Sequence, residues 1–127
     1  MKRLLLDTHV FLWWLNDDPA LGERARAEIG NGHNHVYVSA ATVWEMSIKR
    51  ALGKLQAPTD IEAVVEAERF IKLNISLIHG EQAGALPPFH RDPFDRMLIA
   101  QAQTDNLILV TADVQFEQYG ASLMKAT

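Results

Sequence analysis

Cysteine is absent from all 127 residues of the chain. A secreted protein of this size often relies on disulfides, so the absence favours a reducing compartment. Apolar runs long enough to cross a membrane are also missing. The leucines of the N-terminus meet Asp7, and the apolar stretch that ends at Leu15 meets Asp17 and Asp18. No small-residue cleavage site follows the first residues, so no signal peptide is read and a cytoplasmic setting is expected. Positive charge is in deficit: 12 Lys and Arg against 16 Asp and Glu leave a net charge of −4. An acidic protein does not recruit nucleic acid through bulk charge, so such a substrate would need a local basic patch or a bound metal. Repeats, linkers and low-complexity tracts are absent too. An apolar share of 48% with 22% charged residues argues against disorder and for one packed domain over residues 1–127.

The pattern along the chain alternates between short apolar strands and helices. Lys2–Leu6 reads as a buried strand ending in Asp7, and a helix follows from Thr8 to Leu15. Pro19 suits the first turn of a second helix, which runs to about Ile29 and is stopped by Gly30-Asn31-Gly32. His35–Ser39 alternates and is β-branched, so it reads as a second strand. Ala40–Leu52 is helical, with Val43, Met46 and Ala51 inward and Gly53 as the stop. A helix from Pro58–Asp60 to about Ile71, a third strand at Asn74–Ile78 and a short helix at His79–Leu86 come next. Asp92-Pro93 opens a strong helix to about Asp105, followed by a fourth strand at Leu107–Val110. A turn at Thr111–Asp113, a short helix to Tyr119 and a last strand at Ala121–Met124 complete the pattern. Strands alternating with helices predict an α/β fold, with a parallel sheet covered on both faces.

Ligands in such sheets bind beyond the carboxyl ends of the strands. Asp7 ends the first strand, and Asp113 lies just past the fourth. Glu45 sits about a turn and a half into the helix after the second strand. Asp95 lies in the first turn of the helix that leads to the fourth. Two unit charges ~4 Å apart repel by roughly 4 kcal/mol at an effective dielectric of 20. Four clustered carboxylates must therefore raise some of their pKa values or hold a cation. Hard oxygen donors without His or Cys select Mg²⁺ or Mn²⁺ over zinc. Such ions meet substrate phosphates, which points to phosphodiester chemistry.

These residues carry a family resemblance. Leu5-Leu6-Asp7-Thr8-His9, Ser39-Ala40-Ala41-Thr42-Val43-Trp44-Glu45-Met46, the stretch His90–Ala100 with Asp92-Pro93-Phe94-Asp95-Arg96, and Val110-Thr111-Ala112-Asp113 resemble, in order, the four motifs of PIN-domain nucleases. Within that family the motifs resemble those of the VapC-type toxins of bacterial toxin–antitoxin pairs. The resemblance implies a three-layer α/β/α sandwich with a mostly parallel sheet of about five strands. It implies endonucleolytic cleavage of RNA dependent on Mg²⁺ or Mn²⁺, a homodimer, and inhibition by a cognate antitoxin protein. It assigns Asp7, Glu45, Asp95 and Asp113 as catalytic metal ligands. Asp95 is chosen over Asp92 by its spacing to Leu98-Ile99-Ala100.

Each acid also has an ordinary structural role open to it. Asp7 and Asp113 can cap the helices that follow them, Asp92 can cap the helix of Asp95, and Asp95 can answer that helix's dipole. Glu45 can pair with Lys49 four residues on. Thr8, Arg96 and Thr111 are candidate contacts to substrate phosphate, with an ion pair open to Arg96 and capping to Ser39. Lys49, Arg50, Lys54, Arg91 and Arg96 are candidates for a basic rim. Trp13, Trp14 and Trp44 read as core or interface. The five histidines lack metal-ligand spacing and receive no catalytic role. Two other functions stay open. An aspartyl-nucleophile phosphohydrolase would place a second Asp where His9 stands, and a non-catalytic nucleic-acid-binding or partner-docking module would share the fold without the chemistry.

Overall fold

A computed structural model describes residues 1–127. The chain runs β1 (Arg3–Leu6), α1 (Thr8–Leu15), α2 (Glu23–Gly30), β2 (His35–Ser39), α3 (Ala40–Ala51), α4 (Ile61–Ala67), β3 (Ile71–Leu73), α5 (Leu77–Ala85), α6 (Pro93–Asp105) and β4 (Ile108–Thr111). A 3-10 helix (Val114–Tyr119) and β5 (Leu123–Lys125) follow. The five strands form one sheet in the order β3-β2-β1-β4-β5, with every pair parallel. Side chains alternate across the pleat. Leu4 and Leu6 face one apolar layer with Val10, Phe11, Ile29, Met46 and Val65. Leu5 faces the other with Leu98, Ile99, Leu109 and Phe116. The result is the expected three-layer α/β/α sandwich. Because β1 is central, the chain leaves it toward β2 on one side and reaches β4 on the other. That reversal opens a crevice beyond the carboxyl ends of β1 and β4.

The structure corrects two boundaries for local reasons. The second helix begins at Glu23 rather than Pro19. Asp18 first closes a turn, its side chain accepting from the Ala20 N–H at 2.9 Å. Gly22 then donates its N–H to the Ala126 carbonyl at 2.7 Å. A Cβ at Gly22 would lie 2.8 Å from the Thr127 carbonyl carbon, so only glycine allows the helix to start against the last segment. The third strand is Ile71–Leu73 rather than Asn74–Ile78. Ser76 caps α5 reciprocally with His79, so the helix starts at Leu77. The apolar Leu77, read as a strand residue, is instead 90% exposed at the helix start. The remaining elements match their expected places within a few residues.

Candidate active site

Asp7 is the first residue beyond β1, and its N–H still bonds to the Val110 carbonyl of β4 at 3.1 Å. One carboxylate oxygen caps α1 by accepting from the Val10 N–H at 2.9 Å. The other accepts a short bond from the Thr111 hydroxyl. The side chain is buried. Burial pushes its pKa above the ordinary carboxylate value, against the opposing pull of the Thr111 and Val10 bonds, and the Asp113 charge adds to the rise. Thr111 in turn accepts from the Asp113 N–H at 3.0 Å. One hydroxyl thus links the acids at the ends of β1 and β4.

Glu45 is buried on the inner side of α3. The Thr8 hydroxyl donates to its Oε1 at 2.6 Å. Lys49 Nζ lies 2.7 Å from its Oε2, one helical turn on. The pairing offered by the spacing is real, and it sits inside the site. Lys49 is held above the ordinary ammonium value by its bond to Glu45, against the opposing effect of partial burial, with Asp92 and Asp95 adding to the rise.

Asp95 occupies the first turn of α6, where Pro93 and the Asp92 cap start the helix. Asp92 Oδ1 accepts from the N–H groups of Phe94 at 2.8 Å and Asp95 at 3.2 Å. Asp92 therefore has the capping role expected of it. Burial first, and then the charge of Asp92, push the Asp95 carboxyl up to about 7, with Glu45 and Asp7 contributing and His90 opposing. Asp113 caps the 3-10 helix through Oδ1, which accepts from the Gln115 N–H at 2.9 Å. Its Oδ2 is left facing His90 Nε2 at 3.4 Å.

Two assignments change. His90, given no role from sequence, stands in the cluster, with Nε2 3.1 Å from Asp95 Oδ2 and 3.4 Å from Asp113 Oδ2. Ligand-type atoms of His90, Asp95 and Asp113 lie within 4.8 Å of one another. Asp7 and Glu45 fall outside that group but are close enough to act on the Asp95 charge. The signal for His90 was its place at the head of the most distinctive motif, where a search for metal-ligand spacing cannot see it. Arg96 is not poised for phosphate. Its guanidinium donates to the carbonyls of Ala83 and Leu86 at 2.9 Å, Pro87 at 3.0 Å and His90 at 3.2 Å. It ties down the segment that presents His90. Arg50 similarly donates to the Pro58 carbonyl at 2.6 Å, so Lys54 and Arg91 are the exposed members of the expected basic rim. Thr8 and Thr111 both spend their hydroxyl protons on acids of the cluster.

Carboxylates from four elements thus converge at the carboxyl edge of the sheet, around a topological switch. A model of the PIN domain matches residues 4–122. The chain belongs to the PIN-domain family. Among solved structures this PIN domain is similar to VapBC2 from Rickettsia felis bound to a DNA fragment from their promoter. The identity is 15% and the TM-score 0.71, covering 96% of this chain and 97% of that one. It is similar to DNA-bound VapBC from Salmonella typhimurium at 21% identity and a TM-score of 0.68, over 100% of both chains. FitAcB from Neisseria gonorrhoeae matches at 20% identity and a TM-score of 0.63, over 97% of each. At these identities the likeness is one of fold. No curated protein matches the chain.

Proposed function

We propose that this PIN domain is a divalent-cation-dependent endoribonuclease that acts as the toxin of a toxin–antitoxin pair. The observation that carries the chemistry is the cluster itself. Asp95 is driven to about 7 by burial and by neighbouring carboxylates, a state that a cation would relieve and an apolar partner would not. The donor set fits a hard ion. Asp7, Glu45, Asp95 and Asp113 offer carboxylate oxygens, no thiolate exists in the chain, and Mg²⁺ or Mn²⁺ prefers such donors. When bound, the cation supplies charge neutralisation at the phosphodiester and acidifies a water for attack at phosphorus.

The remaining work falls to the chain's own residues. Thr111 and the Val10 N–H fix the rotamer of Asp7, and Thr8 fixes that of Glu45. Asp92 sets the first turn of α6 and hence the position of Asp95. Lys49 compensates the buried Glu45 charge. The exposed Lys54 and Arg91 supply positive charge for RNA in an otherwise acidic protein.

The toxin role is supported by the fold likeness to chains from VapBC and FitAB complexes. We infer one domain over residues 1–127, a cytoplasmic setting, a cognate antitoxin and a homodimer. No helix is long and apolar enough to cross a membrane. The exposed Ile75, Leu77 and Ile78 at the start of α5 give a second copy or a partner apolar surface to cover. Induced expression should arrest growth and fragment cellular RNA, and Asp7→Asn or Asp95→Asn should abolish both. Undiminished fragmentation by both folded variants would overturn the nuclease assignment.

A further inference from the structure

We propose that His90 is a positioning residue of the acid cluster, an Nε2–H donor that holds the Asp95 and Asp113 carboxylates for the cation from outside its coordination sphere. This rests on the reading of the cluster as a divalent-cation site. The geometry at first suggests the opposite, a three-ligand centre of one imidazole and two carboxylates. The other ring nitrogen decides between the two. His90 Nδ1 accepts from the Asp92 backbone N–H at 3.2 Å. A neutral imidazole carries one proton, so that bond leaves it on Nε2. Nε2–H then faces Asp95 Oδ2 at 3.1 Å and Asp113 Oδ2 at 3.4 Å, two groups that are acceptors when ionised.

To ligate a cation, Nε2 would have to give up its proton to Nδ1. There an N–H would oppose the N–H of Asp92, donor against donor. Flipping the ring instead would put carbon atoms against both partners. The ring has little freedom to avoid this choice. Its side chain is 13% exposed, its ring packs against Phe116 at a tilt of 56° with centroids 5.8 Å apart, and its backbone N–H donates to the Tyr119 hydroxyl at 2.7 Å. Asp92 thus acts twice, through its carboxylate as the cap of α6 and through its N–H as the group that fixes the tautomer of His90. The arrangement reverses the usual one around metal-binding histidines, in which the imidazole ligates and a carboxylate orients it.

The test titrates Mn²⁺ alone into wild type, His90→Phe and His90→Gln by calorimetry, with circular dichroism to confirm folding. Phe keeps the ring on Phe116 but has no donor, whereas the Gln amide can place an N–H near the Nε2 position. Loss of such an orienting partner typically weakens metal binding by about 10- to 100-fold. That loss is expected for His90→Phe, and most of it should be recovered in His90→Gln. Electron-spin-echo measurements on the Mn²⁺ form should show no directly bound histidine nitrogen. A nitrogen coupling of direct coordination, lost in His90→Gln, would overturn the proposal. Wild-type affinity in His90→Phe would overturn it too. If His90→Phe does not fold, His90→Gln and the nitrogen coupling decide. A folded wild type that binds no Mn²⁺ would instead overturn the cation reading and this inference with it.

Discussion

Neutralising Asp95 should stabilise the metal-free protein, by an amount that grows as pH rises above the carboxyl's unfolded value and levels off once the native carboxyl has ionised too. Its pKa rises from 3.8 to about 7 in the folded state. Between those values the native state keeps a proton that the unfolded chain has lost, so stability falls as pH rises through this window. Three units at about 1.4 kcal/mol each give an upper figure near 4 kcal/mol. The side chain is 22% exposed, and solvent screening reduces the figure to a working value of about 2 kcal/mol. Asp95→Asn keeps the shape and removes the charge. In urea unfolding with EDTA present, the variant should match wild type at pH 4 and exceed it by about 2 kcal/mol at pH 8. Mn²⁺ should then reverse the order, because binding to the native state adds stability to wild type and little to the variant. A variant no more stable than wild type at pH 8, or a gain that does not vary with pH, would refute the reasoning.

Three further outcomes follow from particular contacts. Lys49→Met should tighten Mn²⁺ binding about two- to fivefold by calorimetry, since a pair of about 0.5–1 kcal/mol no longer competes for Glu45; weaker binding would mean that Lys49 supports the site rather than competing within it. Thr111→Val removes the donor to Asp7 and the acceptor of the Asp113 N–H, so its denaturation midpoint should fall by an amount equivalent to about 1–3 kcal/mol. Arg96→Met should lose roughly 2–3 kcal/mol of stability, because four backbone carbonyls lose a charged donor. A normal melting temperature together with a raised KM for RNA would return Arg96 to the substrate.

The fold was legible because its signals are local and redundant. The apolar run before Asp7, the alternation at His35–Ser39 and the Asp92-Pro93 start of α6 each have one good structural solution. The third strand was misplaced because Ile75, Leu77 and Ile78 look like a strand, while the capping pair that makes them a helix start depends on the side chain of His79. Asp7 and Asp113 were legible from their positions at strand ends, whereas Glu45 and Asp95 sit on helices, α3 and α6, whose placement at the same edge is a matter of tertiary structure. What the acids do in detail was not legible, because a single carboxylate can cap a helix with one oxygen and face the site with the other, as Asp113 does. His90 was invisible for a related reason. Its role depends on which nitrogen bears the proton, and that is set by a backbone N–H two residues on. Arg96 was misjudged because sequence cannot show that the carbonyls of a neighbouring loop converge on a guanidinium.

The most direct measurement is cleavage of total cellular RNA by protein stripped of metal with EDTA, then titrated with Mn²⁺, alongside Asp95→Asn at matched folded concentration. Wild type should be silent without metal and cut RNA in proportion to bound Mn²⁺, while Asp95→Asn stays silent throughout. Cleavage that persists in EDTA, or that Asp95→Asn performs as well as wild type, would contradict a cation-dependent nuclease built on this cluster.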